Sequence, residues 1–151
     1  CMSFNPYQTE DLLAAHKLMT IGLVNNPGHF RRRGVCIAGK EGVSHIAPPA
    51  DRVPFLMSNL FQWLKDTDEH PLIKSSVFHY EFEFIHPFSD GNGRMGRMWH
   101  SLLLAQWKDL FFWLPVEELI QARQREYYDA LGTADVREAV VYGTEPLFSG
   151  N

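Results

Sequence analysis

The chain reads HPFSDGNGRMGR from His86 to Arg97, and this stretch combines a titratable base, a carboxylate, an amide, three glycines and two arginines. Glycines let a backbone approach a ligand closely, and the first N–H groups of a helix have no intrahelical acceptor. A helix that begins after Asp90 therefore predicts a phosphate site. Arg94 and Arg97 are three residues apart, so both guanidinium groups lie on the helix face where they can hold polyphosphate oxygens.

Two further side chains of this loop predict chemistry. Asp90, beside the anion site, is suited to hold a Mg²⁺ ion that bridges phosphates. His86 is neutral near pH 7 and can take a proton from an attacking hydroxyl. Each residue alone also has an ordinary structural explanation, such as a helix cap for Asp90. The combination at fixed spacing favours a site for transfer of a phosphate-linked group.

Apolar residues with helical spacing lie on both sides of this loop. We expect a helix from Asn92 to Trp107 after it, and the stretch from Pro71 to Ile85 before it. The preceding stretch also alternates like a strand, but its length favours a helix. A clear apolar stripe with Pro54 in its first turn predicts another helix, which contains Val53, Leu56, Met57, Leu60, Phe61 and Leu64. The fold is expected to be mainly α-helical.

Two more helices are predicted near the ends of the chain. Thr9 is expected to cap a first helix that stops near Asn25, with Leu12, Ala15, Met19 and Leu23 on one face. Pro115 is expected to open a last helix, which runs through Leu119, Ile120, Tyr127 and Leu131.

A β-hairpin is predicted between these helices. Two runs, Val35 to Ile37 and Val43 to Ile46, flank a four-residue turn from Gly39 to Gly42. We expect one domain over residues 1–151, with a core of about 12–131 and a poorly anchored tail at 132–151.

The segment GNGRMG also has the literal form of the dinucleotide-binding motif G-x-G-x-x-G. That motif requires a strand before it and a parallel sheet of alternating strands and helices around it. No such alternation follows here, so the sequence disfavours a dinucleotide site.

Composition bounds the remaining classes. The 151 residues are 45% hydrophobic and 13% aromatic, which suits one globular domain with a substantial core. Eighteen acidic against fourteen basic residues give a net charge of −4, which argues against a nucleic-acid or membrane-surface protein. The two cysteines, Cys1 and Cys36, make neither a disulfide framework nor a thiolate metal site. Without a signal peptide or an apolar span, we expect a cytoplasmic protein.

The loop resembles the defining motif of the Fic family, His-x-Phe-x-Asp/Glu-Gly-Asn-Gly-Arg-x-x-Arg, at every fixed position. The resemblance continues through Gly28 to Arg31, the hairpin, Ala47 to Pro49, and Tyr127-Tyr128. It implies a Fic-type helical bundle with a β-hairpin flap over the active-site loop. It also implies transfer of AMP from ATP to a Ser, Thr or Tyr hydroxyl of a target protein, with release of pyrophosphate.

The resemblance assigns a role to each motif position. His86 is implied as the general base, Asp90 as the Mg²⁺ ligand and Phe88 as a core anchor of the loop. The anion and phosphate contacts are implied for Gly91, Asn92, Gly93, Arg94 and Arg97. The kinase-like branch of the family has Lys where this chain has Gly93, which favours nucleotidyl transfer here.

Contacts outside the motif are expected from the hairpin and the last helix. An exposed strand edge at Val43, Ser44, His45 and Ile46 can receive the target as an added strand, although such a hairpin can also merely cover the core. Tyr127 and Tyr128 are candidates for the pocket around the base, although helical aromatic residues more often pack in a core.

Regulation and competing functions follow from what the sequence lacks. The family's inhibitory string, Ser/Thr-x-x-x-Glu-Gly/Asn, does not occur in the 151 residues. We therefore expect a separate partner or a flanking segment to supply the glutamate, or a chain that is competent for ATP. Removal of AMP, transfer of phosphocholine or UMP, and a non-catalytic interaction module are the alternatives.

Overall fold

The computed structural model describes residues 3–39, 42–123 and 125–126. Helices dominate this part of the chain, as predicted: α1 (Thr9–Thr20), α2 (Val53–Asp66), α3 (Pro71–Ile85), α4 (Asn92–Trp107) and α5 (Val116–Ala122). Two strands, β1 (Cys36–Gly39) and β2 (Gly42–Ile46), lie between α1 and α2. Short 3₁₀ turns at Ala50–Arg52 and Asp109–Phe112 precede α2 and follow α4.

The interface of α3 with α4 holds the loop at one end of the molecule. Gly96 faces α3, where a side chain would overlap the carboxylate of Glu83 and a Cβ would lie 3.2 Å from Cδ1 of Phe82. The missing Cβ therefore lets the two helices approach closely. The short connection from His86 to Gly91 joins the end of α3 to the start of α4.

The apolar stripe predicted for α2 is confirmed, because all six of its residues are buried. They pack with apolar side chains of α1, α3 and α4 in one core that contains Leu12, Phe78, Phe82, Met95 and Trp99. Pro54 lies in the first turn of α2, as expected from its fixed φ. The core extends under the loop, since Phe88 is fully buried.

The first helix is shorter than predicted. It ends at Thr20, and Leu23, which was expected on its buried face, is 70% exposed. The Thr20 hydroxyl donates to the carbonyl of His16 at 2.7 Å, and Gly22 takes a left-handed φ of 79°. This conformation turns the chain out of the helix. Thr9 is the first helical residue and Gln8 the cap, so the expected Thr9 cap was wrong by one position.

Strands β1 and β2 pair antiparallel. Cys36 lies opposite Ile46, Gly39 opposite Gly42, and an irregularity after Ile37 leaves Ser44 as an extra residue in β2. Gly39 and Gly42 were expected in the turn but are paired strand residues. The register therefore includes a β-bulge at Ser44.

The last helix begins at Val116, directly after Pro115, and its continuation through Tyr127 and Leu131 lies outside the described residues. The tail expected at 132–151 also lies outside them. Within the described ranges, every helix is too short or too polar to cross a membrane.

Candidate active site

His86 ends α3 in a strained backbone conformation. Its φ of 51° and ψ of 62° are left-handed, which is uncommon for a residue other than glycine, and its N–H donates to the carbonyl of Phe82 at 2.9 Å. Pro87 follows and cannot continue the helix. The chain therefore leaves α3 abruptly and carries the half-buried His86 side chain at the start of the loop.

The side chain of Arg31 binds the backbone where His86 leaves the helix. It is 5% exposed. Its Nε donates to the His86 carbonyl at 2.7 Å, and its Nη2 donates to the Ile85 carbonyl at 3.1 Å. The same Nη2 donates to the Pro48 carbonyl at 2.6 Å, and Nη1 donates to the Arg33 carbonyl at 3.0 Å. A single buried cation therefore contacts the loop and both ends of the hairpin segment.

The middle of the loop is fixed by Phe88 and Asn92. The Phe88 N–H donates to Oδ1 of Asn92 at 2.8 Å, and Nδ2 of Asn92 donates back to the Phe88 carbonyl at 2.7 Å. Asn92 is 3% exposed. The amide side chain of Asn92 is therefore already used inside the loop, which leaves its backbone N–H for the predicted anion contact.

His16 of α1 packs against the loop and bonds its backbone. The Gly28 N–H donates to Nδ1 of His16 at 2.9 Å, so the ring proton sits on Nε2, which donates to the Asp90 carbonyl at 2.9 Å. The ring stacks on Phe88. Burial lowers the pKa of His16, against the opposing effect of the Asp90 hydrogen bond, and the charge of Arg94 lowers it further. The neutral, Nε2–H form of His16 is therefore the one that fits this site.

Gly91 is the buried N-cap residue of α4. It has a φ of 84°, and a Cβ there would lie 3.2 Å from Cγ2 of Thr20. The first helical hydrogen bond runs from the Met95 N–H to the Gly91 carbonyl at 2.9 Å. The preceding N–H groups, of Asn92 to Arg94, have no intrahelical acceptor. The geometry therefore suits phosphate oxygens at this helix terminus.

Asp90 is exposed beside this terminus. Its Oδ1 accepts from the Gly91 N–H at 2.6 Å. Among the described residues, no set of three His, Cys, Asp or Glu side chains is arranged to enclose a metal ion. One carboxylate next to a phosphate site nevertheless fits Mg²⁺, which is bound through one or two carboxylates together with substrate phosphates and water.

The two arginines of the motif lie at the same end of α4. Both are exposed. The Nη1 atom of Arg97 lies 3.2 Å from the position that a Cβ on Gly93 would take, so its guanidinium folds back toward the first turn. The structure therefore brings two positive charges together with the helix terminus.

Of the remaining predicted site residues, the structure describes the side chain of Ile46 alone. Ile46 is 72% exposed, and the side chains of Val43, Ser44 and His45 lie outside what the structure describes. Tyr127 and Tyr128 also lie outside the described residues.

A cavity of about 200 Å³ is present at the opposite end of α3 and α4, where it is lined by Tyr7, Pro71, Lys74, Leu103, Gln106 and Trp107. Apart from Tyr7, its lining residues belong to the start of α3 and the end of α4. A helix of this length spans about 20 Å, so the cavity is remote from the loop. It makes no contribution to the site described above.

Sequence reasoning missed Arg31 and His16 as site residues. The surrounding sequence gives no signal for either residue. Arg31 contacts His86, 55 positions away, and His16 contacts Asp90, 74 positions away. Arg31 was noticed only as part of the Gly28 to Arg31 resemblance.

Comparison with known proteins agrees with this architecture. A curated protein adenylyltransferase Fic from Culex quinquefasciatus is 36% identical over 132 residues, which cover 83% of this chain and 24% of that protein. A probable protein adenylyltransferase from Aquifex aeolicus is 36% identical over 83 residues, which cover 54% of this chain and 25% of the relative. The chain thus spans about a quarter of the length of these relatives.

Solved structures and a family model extend the comparison. The crystal structure of a Fic family protein from Desulfovibrio desulfuricans has a TM-score of 0.77 and 52% identity, with 91% of this chain and 42% of that chain covered. A Fic domain protein from Bacteroides thetaiotaomicron, 20% identical with a TM-score of 0.61 over 67% of this chain and 40% of that chain, shares the fold. The Fic/DOC family model matches residues 6–104. This chain therefore belongs to the Fic/DOC family.

Proposed function

We propose that this chain is a protein adenylyltransferase, which transfers AMP from ATP to a Ser, Thr or Tyr hydroxyl of a target protein. The observation that carries the proposal is the open N-terminus of α4 between Asp90 and the two arginines, with His86 at the start of the same loop. This arrangement combines an anion site, a metal ligand and a base. The names of the curated relatives support the same reaction.

In the proposed transfer, one oxygen–phosphorus bond forms and another breaks. The hydroxyl oxygen of the target attacks the α-phosphorus of ATP, while the hydroxyl proton passes to His86. A new oxygen–phosphorus bond forms, the bond from the α-phosphorus to the bridging oxygen breaks, and pyrophosphate leaves. AMP remains on the target as a phosphodiester.

Each neighbouring group has a role that its position supports. The N–H groups of Gly93 and Arg94 stabilise negative charge on the transferred phosphate, because they already point outward before reaction. Arg94 and Arg97 hold the terminal phosphates. Mg²⁺ held by Asp90 would neutralise charge on the polyphosphate when bound. Gly93 leaves room beside Arg97, where the kinase-like branch has a lysine.

The decisive experiment compares two radioactive labels. The chain is incubated with Mg²⁺ and ATP labelled at either the α- or the γ-phosphate, together with a lysate depleted of small molecules. We expect protein-bound label from α-labelled ATP alone. Label from γ-labelled ATP would identify a kinase, and ATP binding without any transfer would identify a binding module.

A second test addresses removal and other groups. Protein first labelled from α-labelled ATP is freed of nucleotide and incubated again with the chain and Mg²⁺. We expect the label to stay on the protein. Its rapid release as AMP would assign the chain to de-AMPylation, while transfer from UTP or CDP-choline in preference to ATP would overturn the adenylyl specificity.

We also propose that the outer edge of β2 receives the target. Among the described residues, β1 and β2 form a sheet of two strands, so β2 has an edge that no further described strand covers. An extended segment can bind such an edge through its backbone, whatever its side chains. Proline at Ser44 or Ile46 should lower protein labelling while ATP affinity is retained. Equal loss of labelling and of ATP binding would point to misfolding instead.

We propose that activity is controlled through Arg97. A glutamate against Arg97 would occupy the place of the terminal phosphates, and a partner or flanking segment is the proposed source. The 151-residue chain should then bind Mg²⁺-ATP and transfer label without an activating mutation. A silent chain that one of its own acidic substitutions activates would contradict this expectation.

A further inference from the structure

Three consecutive arginines precede the hairpin, and their environments differ sharply. Arg31 is 5% exposed, whereas Arg32 and Arg33 are exposed. An arginine is rarely buried unless its charge and its N–H groups are satisfied. The burial of Arg31 therefore calls for partners that justify it.

Backbone carbonyls are those partners. Arg31 donates to the carbonyls of Ile85 and His86, which belong to the C-terminal end of α3, where the helix has acceptors without intrahelical donors and a partial negative charge. No carboxylate in the described part of the chain forms an ion pair with Arg31. A helix terminus thus takes the place of a counter-ion, although burial still lowers the pKa of Arg31.

The guanidinium also reaches the segments that flank the hairpin. It donates to the carbonyl of Pro48, just after β2, at 2.6 Å and to the carbonyl of Arg33, before β1, at 3.0 Å. The backbone adds a further link, since the Arg31 N–H donates to the Pro87 carbonyl at 2.9 Å. The two segments that flank the hairpin therefore meet the loop through one residue.

We propose that Arg31 is a positioning residue that couples the placement of the β-hairpin to the placement of His86. Its effect on catalysis rests on the proposed adenylyl transfer. Displacement of the hairpin moves Pro48, and the shared guanidinium passes that movement to the carbonyl of the residue proposed as base. Target docking on β2 and proton transfer at His86 are thereby held in one geometry.

The chemistry of the side chain explains why arginine is needed. The guanidinium is a rigid planar fork that donates in several fixed directions, whereas the ammonium of lysine is a compact point charge. Lysine at position 31 would keep the charge but would not span the Pro48 and His86 carbonyls together. Arg31→Lys therefore removes the planar guanidinium but keeps the positive charge. Arg32→Lys, at an exposed neighbouring position, is the matched control.

The experiment measures hydrogen exchange and transfer in the same variants. In Arg31→Lys we expect the amides of Ala47, at the hairpin base, and of His86 to exchange at least about tenfold faster, while amides of α2 keep their rates. Label transfer from α-labelled ATP should fall on the order of 10²-fold, because a small displacement of a catalytic group is sufficient for such a loss. ATP affinity should stay within about twofold, and Arg32→Lys should match the wild type.

The result that would overturn the proposal is faster exchange at only one of the two sites, or an Arg31→Lys variant that matches Arg32→Lys. If Arg31→Lys does not fold, the wild type still decides the question. In low urea, the Arg31, Ala47 and His86 amides should then open with one common free energy and one denaturant dependence. Separate opening of the hairpin would reject the coupling. A wild type without transferase activity would refute the proposed function but leave this measurement valid.

Discussion

The imidazole of His16 lies flat against the ring of Phe88, with centroids 3.7 Å apart and planes 3° from parallel. His16 belongs to α1 and Phe88 to the loop, and both are fully buried. The stack aligns the histidine so that its two nitrogens meet the Gly28 N–H and the Asp90 carbonyl. The core thereby determines where the Asp90–Gly91 peptide lies.

Replacement of His16 by phenylalanine tests this support. His16→Phe keeps an aromatic stack but leaves a buried donor and a buried acceptor without partners, so we expect a loss of about 2–4 kcal/mol in the free energy of unfolding. Mg²⁺-ATP affinity should fall as well, because the peptide beside the anion site is no longer held. Urea denaturation and a nucleotide titration measure the two effects. Leu18→Ala, at an exposed position of α1, is the control, and equal stability of both variants would refute the role of His16.

The stability of the chain should fall in mild acid. Burial lowers the pKa of His100 to about 3, with a further contribution from His79, whose ring stacks on it at 5.0 Å; the pKa of His16 is also lowered. Between these lowered values and about 6.5 the unfolded chain binds more protons than the folded chain. The contribution of these neutral histidines to the free energy of unfolding is thus fully present above pH 6.5. Below that pH it falls by about 1.4 kcal/mol per pH unit for each histidine.

Urea denaturation at several pH values between 7.5 and 5 measures this slope. His100→Gln should reduce the slope by removing one of the two groups. His29→Gln, at an exposed histidine, should leave it unchanged. A slope that is the same in all three proteins would show that other groups cause the pH dependence.

Substitution of His86 should separate catalysis from folding. His86→Ala should lower α-label transfer roughly 10²–10⁴-fold with ATP affinity retained, because a base acts on the incoming hydroxyl. The left-handed φ of 51° makes His86→Gly a second variant without an imidazole but with less backbone strain, so it should be about 1 kcal/mol more stable than His86→Ala. Wild-type transfer rates in either variant would show that His86 is not the base.

Asp90→Asn should weaken Mg²⁺ binding without unfolding the loop. The amide oxygen of asparagine can still accept from the Gly91 N–H, as Oδ1 of Asp90 does at 2.6 Å, but the charge that attracts a hard cation is lost. We expect most Mg²⁺-dependent transfer to disappear while thermal stability stays close to that of the wild type. A Mg²⁺ titration of transfer provides the measurement, and an unchanged Mg²⁺ requirement would contradict the assignment.

Gly93→Ala should have opposite effects on stability and activity. Alanine favours a helix over glycine by up to about 1 kcal/mol, so the free energy of unfolding should be unchanged or higher. The added Cβ would meet Nη1 of Arg97 at 3.2 Å and displace the guanidinium. We therefore expect weaker binding of ATP but little change for AMP, which lacks the terminal phosphates. Lower stability with normal ATP binding would be the contrary result.

Local patterns predicted the helices near the site well. The α2 stripe and the bounds of α3 and α4 follow from spacing, proline position and glycine content within a few turns of chain. The burial of Phe88 was implied by the family resemblance. The end of α1 did not follow, because the Thr20 hydroxyl bond to the His16 carbonyl competes with continuation of the helix. Apolar spacing alone extended that helix to Leu23.

Long-range contacts account for the other misses. Arg31 and His16 bond carbonyls that the fold brings to them from distant positions. The direction of the Asn92 amide, which faces back to Phe88 four residues earlier, was not predicted either. A motif identifies which residues are present, whereas the direction of each side chain depends on the packing around it.

The paired hydrogen bonds between Asn92 and Phe88 have a kinetic consequence. They join the loop to the first residue of α4 and require no ligand, so a nucleotide meets donors that are already oriented. Nucleotide binding then costs little conformational entropy in the loop, because the loop is already ordered. We expect Mg²⁺-ATP to associate in a single step whose rate rises linearly with nucleotide concentration, and slow rearrangements to be confined to docking of the protein substrate.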